Sequence, residues 1–188
     1  DGKRNVLREK LFLNISPNLW EVFPTIANPP TPWKAVQGER LWITSGERFE
    51  PKDLLPKNTR YRKLGLDKIT IRYHECAWRD DGDSFTFKLN AAPRFKGNNN
   101  VVSDFVSDIQ DLGWKIGLYT NYTDLAPVNS NWHDDHASQR PNGDFHWSWF
   151  RCYAPKPMWA WEMQKKLAHK MQSIYGEDHS YCDVHTSV

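Results

Sequence analysis

The stretch Gly113 to Asp124, GWKIGLYTNYTD, constrains this chain most. Leu112-Gly113 reads as a helix stop. Trp114, Ile116 and Leu118 then form an apolar run with Gly117 among them. The run ends abruptly in Thr120, Asn121, Tyr122, Thr123 and Asp124. A buried parallel strand that empties into a polar loop has this pattern.

The pattern recurs further on. A helix predicted from Met158 to Tyr175 carries Trp159, Met163, Leu167, Met171 and Ile174 as its apolar stripe and stops at Gly176. The run His179-Ser180-Tyr181-Cys182-Asp183-Val184-His185-Thr186 follows, with a strand expected over Ser180 to Val184. Upstream, Asp67 to Glu75 alternates and is β-branched, which predicts a strand ending at His74-Glu75. Val101, Val102, Phe105, Ile109 and Leu112 fall at helical spacing over residues 100–112, with Asn99 or Asn100 as cap. Residues 125–154 form a loop too long for a mere connector. Trp149 to Tyr153 reads as a short strand at its end, and Phe85 to Leu89 as a hairpin strand in an earlier loop.

From residue 67 the order is strand, helix, strand, long loop, strand, helix, strand. That alternation implies an α/β fold with a parallel sheet and right-handed crossovers. A complete (β/α)8 barrel needs about 250 residues. Residues 67–188 therefore read as the first half of a (β/α)8 TIM-type barrel. A doubly wound sheet is the competing architecture, but no Gly-x-Gly-x-x-Gly follows any strand, which disfavours dinucleotide binding.

Residues 1–66 read as an extended, Pro-rich N-terminal strap. Leu11, Phe12, Leu13 and Ile15 suggest a short strand, and Pro17, Pro24, Pro29, Pro30 and Pro32 then forbid a helix or central strand. A further strand is expected at Arg40 to Thr44, followed by a polar loop containing Pro51 and Pro56. The chain stops at Val188, a few residues past a strand, as the first half of something larger does.

A net charge of +2 with no basic stripe argues against nucleic acid. No apolar run approaches the roughly 20 residues of a membrane span. The aromatics stand out, at 14% of the chain with ten Trp, and many sit among carboxylates: Trp78, Trp132, Trp147, Trp149. Such surroundings suit sugar rings, whose C–H faces stack on π systems while their hydroxyls take hydrogen bonds. The alternative is that these rings pin down their loops. Cys76, Cys152 and Cys182 make no disulfide framework and read as buried free thiols. Asn14-Ile15-Ser16 and Asn121-Tyr122-Thr123 fit glycosylation sequons.

Asp183 is the first candidate for chemistry, because a carboxylate near the end of an apolar strand is costly unless paired or functional. As a nucleophile it would attack an anomeric carbon; the alternative is a carboxylate bonded to loop amides. Asp124, with Asn121 and Tyr122, suits sugar hydroxyls, or else closes an Asx-type turn on its own backbone. His74 and Glu75 face opposite ways on a strand, so only one points into a shared mouth. Glu75 is an acid, a sugar ligand or the partner of Arg72 or Arg79. His185 and Thr186 follow Asp183 at the same mouth. The cluster His133, Asp134, Asp135, His136 offers metal-type ligands and so a third class, a metal-dependent hydrolase, but adjacent residues rarely converge without a turn. No metal and no cofactor is expected.

GWKIGLYTNYTD resembles the second barrel strand of retaining α-glycosidases, including α-galactosidases, and SYCDVHTS resembles the fourth. The Tyr-x-Asp-Val form is closest to endo-α-N-acetylgalactosaminidases and related bacterial glycosidases. The resemblance implies a glycoside hydrolase of α-linked glycans, extracellular or periplasmic, with Asp183 as nucleophile. It makes Asp124 and Asn121 substrate ligands, and Tyr73-His74-Glu75 to Trp78 an acidic and aromatic wall. Its general acid would lie on a later strand beyond Val188, supplied by the remainder of the barrel or a second polypeptide segment. A carbohydrate-binding protein without catalysis is the alternative on the same scaffold.

Overall fold

A computed structural model describes residues 13–23, 30–45, 50–74, 87–91 and 99–183. Glu75, Trp78 and His185, with Cys76, Val184 and Thr186, lie outside the described residues. The chain divides into two compact units, Asp1–Gln37 and Gly38–Val188.

In the first unit, Asn18 caps a 3-10 turn over Leu19–Glu21 by accepting from the Trp20 amide. The strand expected here is not found over residues 13–16: Leu13 and Ile15 are 77% and 88% exposed, with no partner strand to bury them. A one-turn helix α1, Lys34–Gly38, follows.

The second unit is a four-stranded parallel sheet: β1 (Leu41–Ser45), β2 (Ile69–Tyr73), β3 (Lys115–Thr120) and β4 (His179–Cys182). Their spatial order is β1-β2-β3-β4, the order of the sequence. Among the described residues three helices lie between them: α2 (Pro51–Lys63), α3 (Asn99–Asp111) and α4 (Pro157–Tyr175). Parallel strands in sequential order require every crossover to step the same way. Right-handed crossovers then put all three helices on one face, and α3 packs against both α2 and α4.

Strand alternation explains the core. Ile69, Ile71, Tyr73, Trp114, Ile116 and Leu118 face the helices and meet Leu54, Val102, Phe105, Val106, Ile109, Met171 and Tyr175. The Trp114 indole N–H reaches the Leu66 carbonyl at 2.8 Å, and the Tyr175 hydroxyl reaches the Leu89 carbonyl at 2.8 Å. Gly113 and Gly176 end α3 and α4 with φ of 79° and 66°, as their positions predict.

Two elements differ from the sequence reading. Residues 51–63 are a helix, not a polar loop. Pro51 sits in its first turn, where the missing N–H costs nothing, and Pro56 forfeits one internal bond while Leu54 reaches the core. Residues 149–153 form no strand. Phe150 turns to φ 51°, the Cys152 amide donates back to the Trp149 carbonyl, and only isolated bridges from Trp147 and Leu125 to Tyr153 remain. The four strands therefore begin with β1, before residue 67. Phe87 to Ala91 holds no strand either.

Candidate active site

In a parallel sheet all carboxyl ends lie at one edge. Here that edge carries His74 after β2, Asn121 after β3 and Asp183 after β4. Thr120 is level with Cys182, and the Asp183 amide donates to the Thr120 carbonyl at 3.0 Å. The ladder thus extends one residue beyond β4 and sets Asp183 beside Asn121. By alternation Asp183 shares its face with Tyr181. Its carboxylate makes no hydrogen bond or ion pair among the described residues and is half-buried.

Beneath this edge lies a layer that sequence reasoning missed. His74 packs on Tyr119 (ring centroids 4.9 Å) and Tyr181 (5.9 Å), and these two tyrosines meet edge-to-face at 5.4 Å. Arg72 places its guanidinium 5.3 Å from the Tyr181 ring and 6.0 Å from Trp42. The available signal was parity: Arg72, His74, Tyr119 and Tyr181 all alternate with the apolar helix-facing residues. Deeper still, His179 meets Trp42 at 5.4 Å. Gly117 makes that possible, since a Cβ there would come within 2.6 Å of the His179 carbonyl oxygen and closer to its ring.

Asn121 and Asp124 are buried, 2% and 5% exposed. The Asn121 carboxamide donates to Asp124 Oδ2 at 2.6 Å and to the Tyr119 hydroxyl at 3.1 Å. Its Oδ1 accepts from the Thr123 and Asp124 amides at 2.8 and 3.2 Å. This is an Asx-type turn, and it fixes Tyr119 from above. With Asn121 so deeply buried, its sequon is closed to a glycan. Tyr122 turns the other way, into a core cluster with Phe87, Leu125, Ala160 and Leu167. Trp132 packs on Phe145 and Tyr153 and donates to Asp134 at 3.2 Å, an arrangement that pins the loop.

The His133 to His136 run does not converge. His133 Nδ1 accepts from the Asp135 amide, while His136 Nδ1 pairs with the Asn131 carbonyl and its ring stacks on Trp159 at 4.5 Å. Among the described residues no three His, Cys, Asp or Glu side chains gather. Cys152 is buried, but Cys182 is exposed, contrary to expectation: among the described residues the helix-side positions of β4, Ser180 and Cys182, are left uncovered. Its thiol is pushed up from the usual range by partial desolvation and, less, by the charge of Asp183, with a Thr120 hydrogen bond opposing.

Two groups at β4 make stability depend on pH. Burial pushes the His179 imidazole below its ordinary value; Asp178 opposes this, and Lys115 and Arg72 reinforce it. Burial disfavours the Asp178 charge too, but bonds from Lys115, the Ile116 amide and Gln110 outweigh it and hold that carboxyl low. In both cases the unfolded chain takes up a proton first, so stability rises with pH through the window between the two pKa values. Urea midpoints are therefore expected to fall as pH drops below about 6.5, from His179, and again below about 3.9, from Asp178. His179→Gln should remove the upper step only; an unchanged profile in that variant would contradict this assignment.

The chain is similar in structure to the α-N-acetylgalactosaminidase NagBb from Bifidobacterium bifidum in its GalNAc complex. The TM-score is 0.65 at 13% identity, covering 80% of this chain and 29% of that one. The GH36 α-galactosidase AgaA from Geobacillus stearothermophilus gives a TM-score of 0.59 at 13% identity, covering 73% of this chain and 20% of the enzyme. The chain thus spans 29% and 20% of the length of these two enzymes, and at such identity the likeness is one of fold. No family model and no curated protein matches the chain. Among the described residues no helix is long and apolar enough to cross a membrane.

Proposed function

We propose that this chain forms half of a (β/α)8 barrel in a retaining glycoside hydrolase acting on α-linked glycans, with Asp183 as nucleophile. The carrying observation is the position of Asp183: level with Asn121, at the edge that also holds His74, above an aromatic layer, and with its carboxylate uncommitted among the described residues. The sequential strand order favours a barrel over a doubly wound sheet, which reverses its order and carries helices on both faces. Curvature agrees with this. On a flat sheet β1 and β4 stand about 14 Å apart, three strand spacings, yet Trp42 of β1 and His179 of β4 touch across the helix-free face. A sheet that curls around that face closes into a barrel. The barrel half then starts at β1 rather than at residue 67, and the remaining strands come from the rest of the polypeptide or a second segment.

In the reaction, an Asp183 oxygen attacks the anomeric carbon as the C–O bond to the leaving group breaks. A carboxylic acid from outside the described residues protonates the departing oxygen. Water then attacks the glycosyl ester, giving its proton to the same group and freeing Asp183. Asn121 and Asp124 act on this site through Tyr119 and the turn geometry, since both are buried. Two inversions leave the product with the α configuration of the substrate. Proton NMR of an aryl α-galactoside or α-N-acetylgalactosaminide digest should show the α anomer first, with the β anomer appearing only by mutarotation. First appearance of the β anomer would refute retention. The second reading, glycan binding without bond cleavage, predicts no product at all.

A further inference from the structure

We infer that a cavity beside the candidate active site, between the loop after β3 and the start of α4, holds a second pyranose ring of the glycan. This rests on the glycosidase reading above. The cavity has a volume of about 500 Å³, within the usual range for small-molecule sites. Its walls are mainly apolar, with Trp161, Tyr122 and Pro155 facing a few polar side chains, Thr123, His146 and Gln164.

Three observations favour a sugar as occupant. First, the cavity borders the turn that follows β3. Tyr122 and Thr123 line it, and the Thr123 hydroxyl donates to Asn121 Oδ1 at 3.1 Å, so one turn holds both places. Second, Trp161 is 51% exposed. The Lys165 ammonium sits 4.9 Å from the centre of its ring but does not line the cavity, whereas Trp161 does. An indole face takes the C–H face of a pyranose. Third, His146 and Gln164 make no side-chain hydrogen bond among the described residues, so both offer donor and acceptor atoms to hydroxyl groups. A purely apolar ligand would leave these groups unused. The floor is rigid: Ser138, His146 and Ala154 exchange backbone hydrogen bonds at 2.8 to 2.9 Å.

The test is calorimetric titration of the full chain, in an Asp183→Asn background that prevents turnover, with galactose and with raffinose. Trp161→Ala and, separately, Gln164→Ala should each weaken raffinose about tenfold, the size of a lost stack or of bonds to a hydroxyl. Both should leave galactose within about twofold. Raffinose affinity unchanged in both variants, with galactose still bound, would overturn the second subsite alone. If the unsubstituted cavity and strand-end site take up neither sugar, the glycan reading fails and the subsite with it. Both substituted side chains are partly exposed, and circular dichroism of each variant should match the parent.

Discussion

Asp183→Asn should abolish turnover, on the order of 10⁴-fold or more, while leaving fold and ligand affinity nearly intact. An amide of the same shape cannot displace a leaving group and carry the glycosyl unit, so the step is lost rather than slowed. The stability expectation is equally specific. The Asp183 carboxylate has no partner among the described residues, and the contact that ties the residue to β3 is its backbone amide on Thr120. Substitution therefore breaks no described side-chain contact, and unfolding free energy should move by no more than about 0.5 kcal/mol. A variant that loses activity together with stability would instead mark Asp183 as a structural carboxylate. Retained turnover would remove it from the reaction.

Trp114→Ala should cost about 3–5 kcal/mol in urea unfolding, the range for emptying a buried aromatic site. Trp114 is 2% exposed. It fills the space under the start of β3, and its indole N–H satisfies the Leu66 carbonyl at 2.8 Å. Alanine leaves a cavity and also removes the hydrogen bond to the Leu66 carbonyl, and the penalties add. The loss falls on the contact that joins the α2–β2 turn to β3, so the parallel pairing itself is weakened. In contrast, Trp161→Ala removes an exposed ring and should change stability little. A loss below about 1 kcal/mol at Trp114 would mean that the helix-facing core is not packed as described.

Local sequence exposed the elements that are punctuated by glycine and by clean periodicity. β3 and the helices before and after it were legible because Gly113 and Gly176 stop the helices and because Val102, Phe105 and Ile109 keep helical spacing. Helix α2 was not legible. Pro51 and Pro56 look like breakers, and only the tertiary contact of Leu54 shows that the segment buries a face. The supposed strand at 149–153 misled for the opposite reason: Trp149, Phe150 and Tyr153 have strand-like composition, but Phe150 occupies a left-handed turn that composition does not reveal.

The site divides in the same way. A polar break after an apolar strand marked Asp183, Asn121 and His74, and the parallel sheet brings all three to one edge. It did not show that Asn121 and Asp124 would spend their hydrogen bonds on each other, nor that Tyr122 would turn into the core. Those outcomes depend on a turn whose geometry only the fold supplies. The Arg72–Tyr181–His74–Tyr119 layer needs the register of three strands before any of its contacts can be seen.

The central claim is a covalent bond at one oxygen atom, and a mechanism-based trap reads it directly. The chain, together with the rest of its barrel, should be incubated with an activated 2-deoxy-2-fluoro or cyclitol-aziridine α-galactose analogue, digested, and examined by tandem mass spectrometry. A single glycosyl adduct on Asp183, absent from the Asp183→Asn variant, is the predicted result. Turnover of the analogue with no adduct, or an adduct on any other carboxylate, would contradict it.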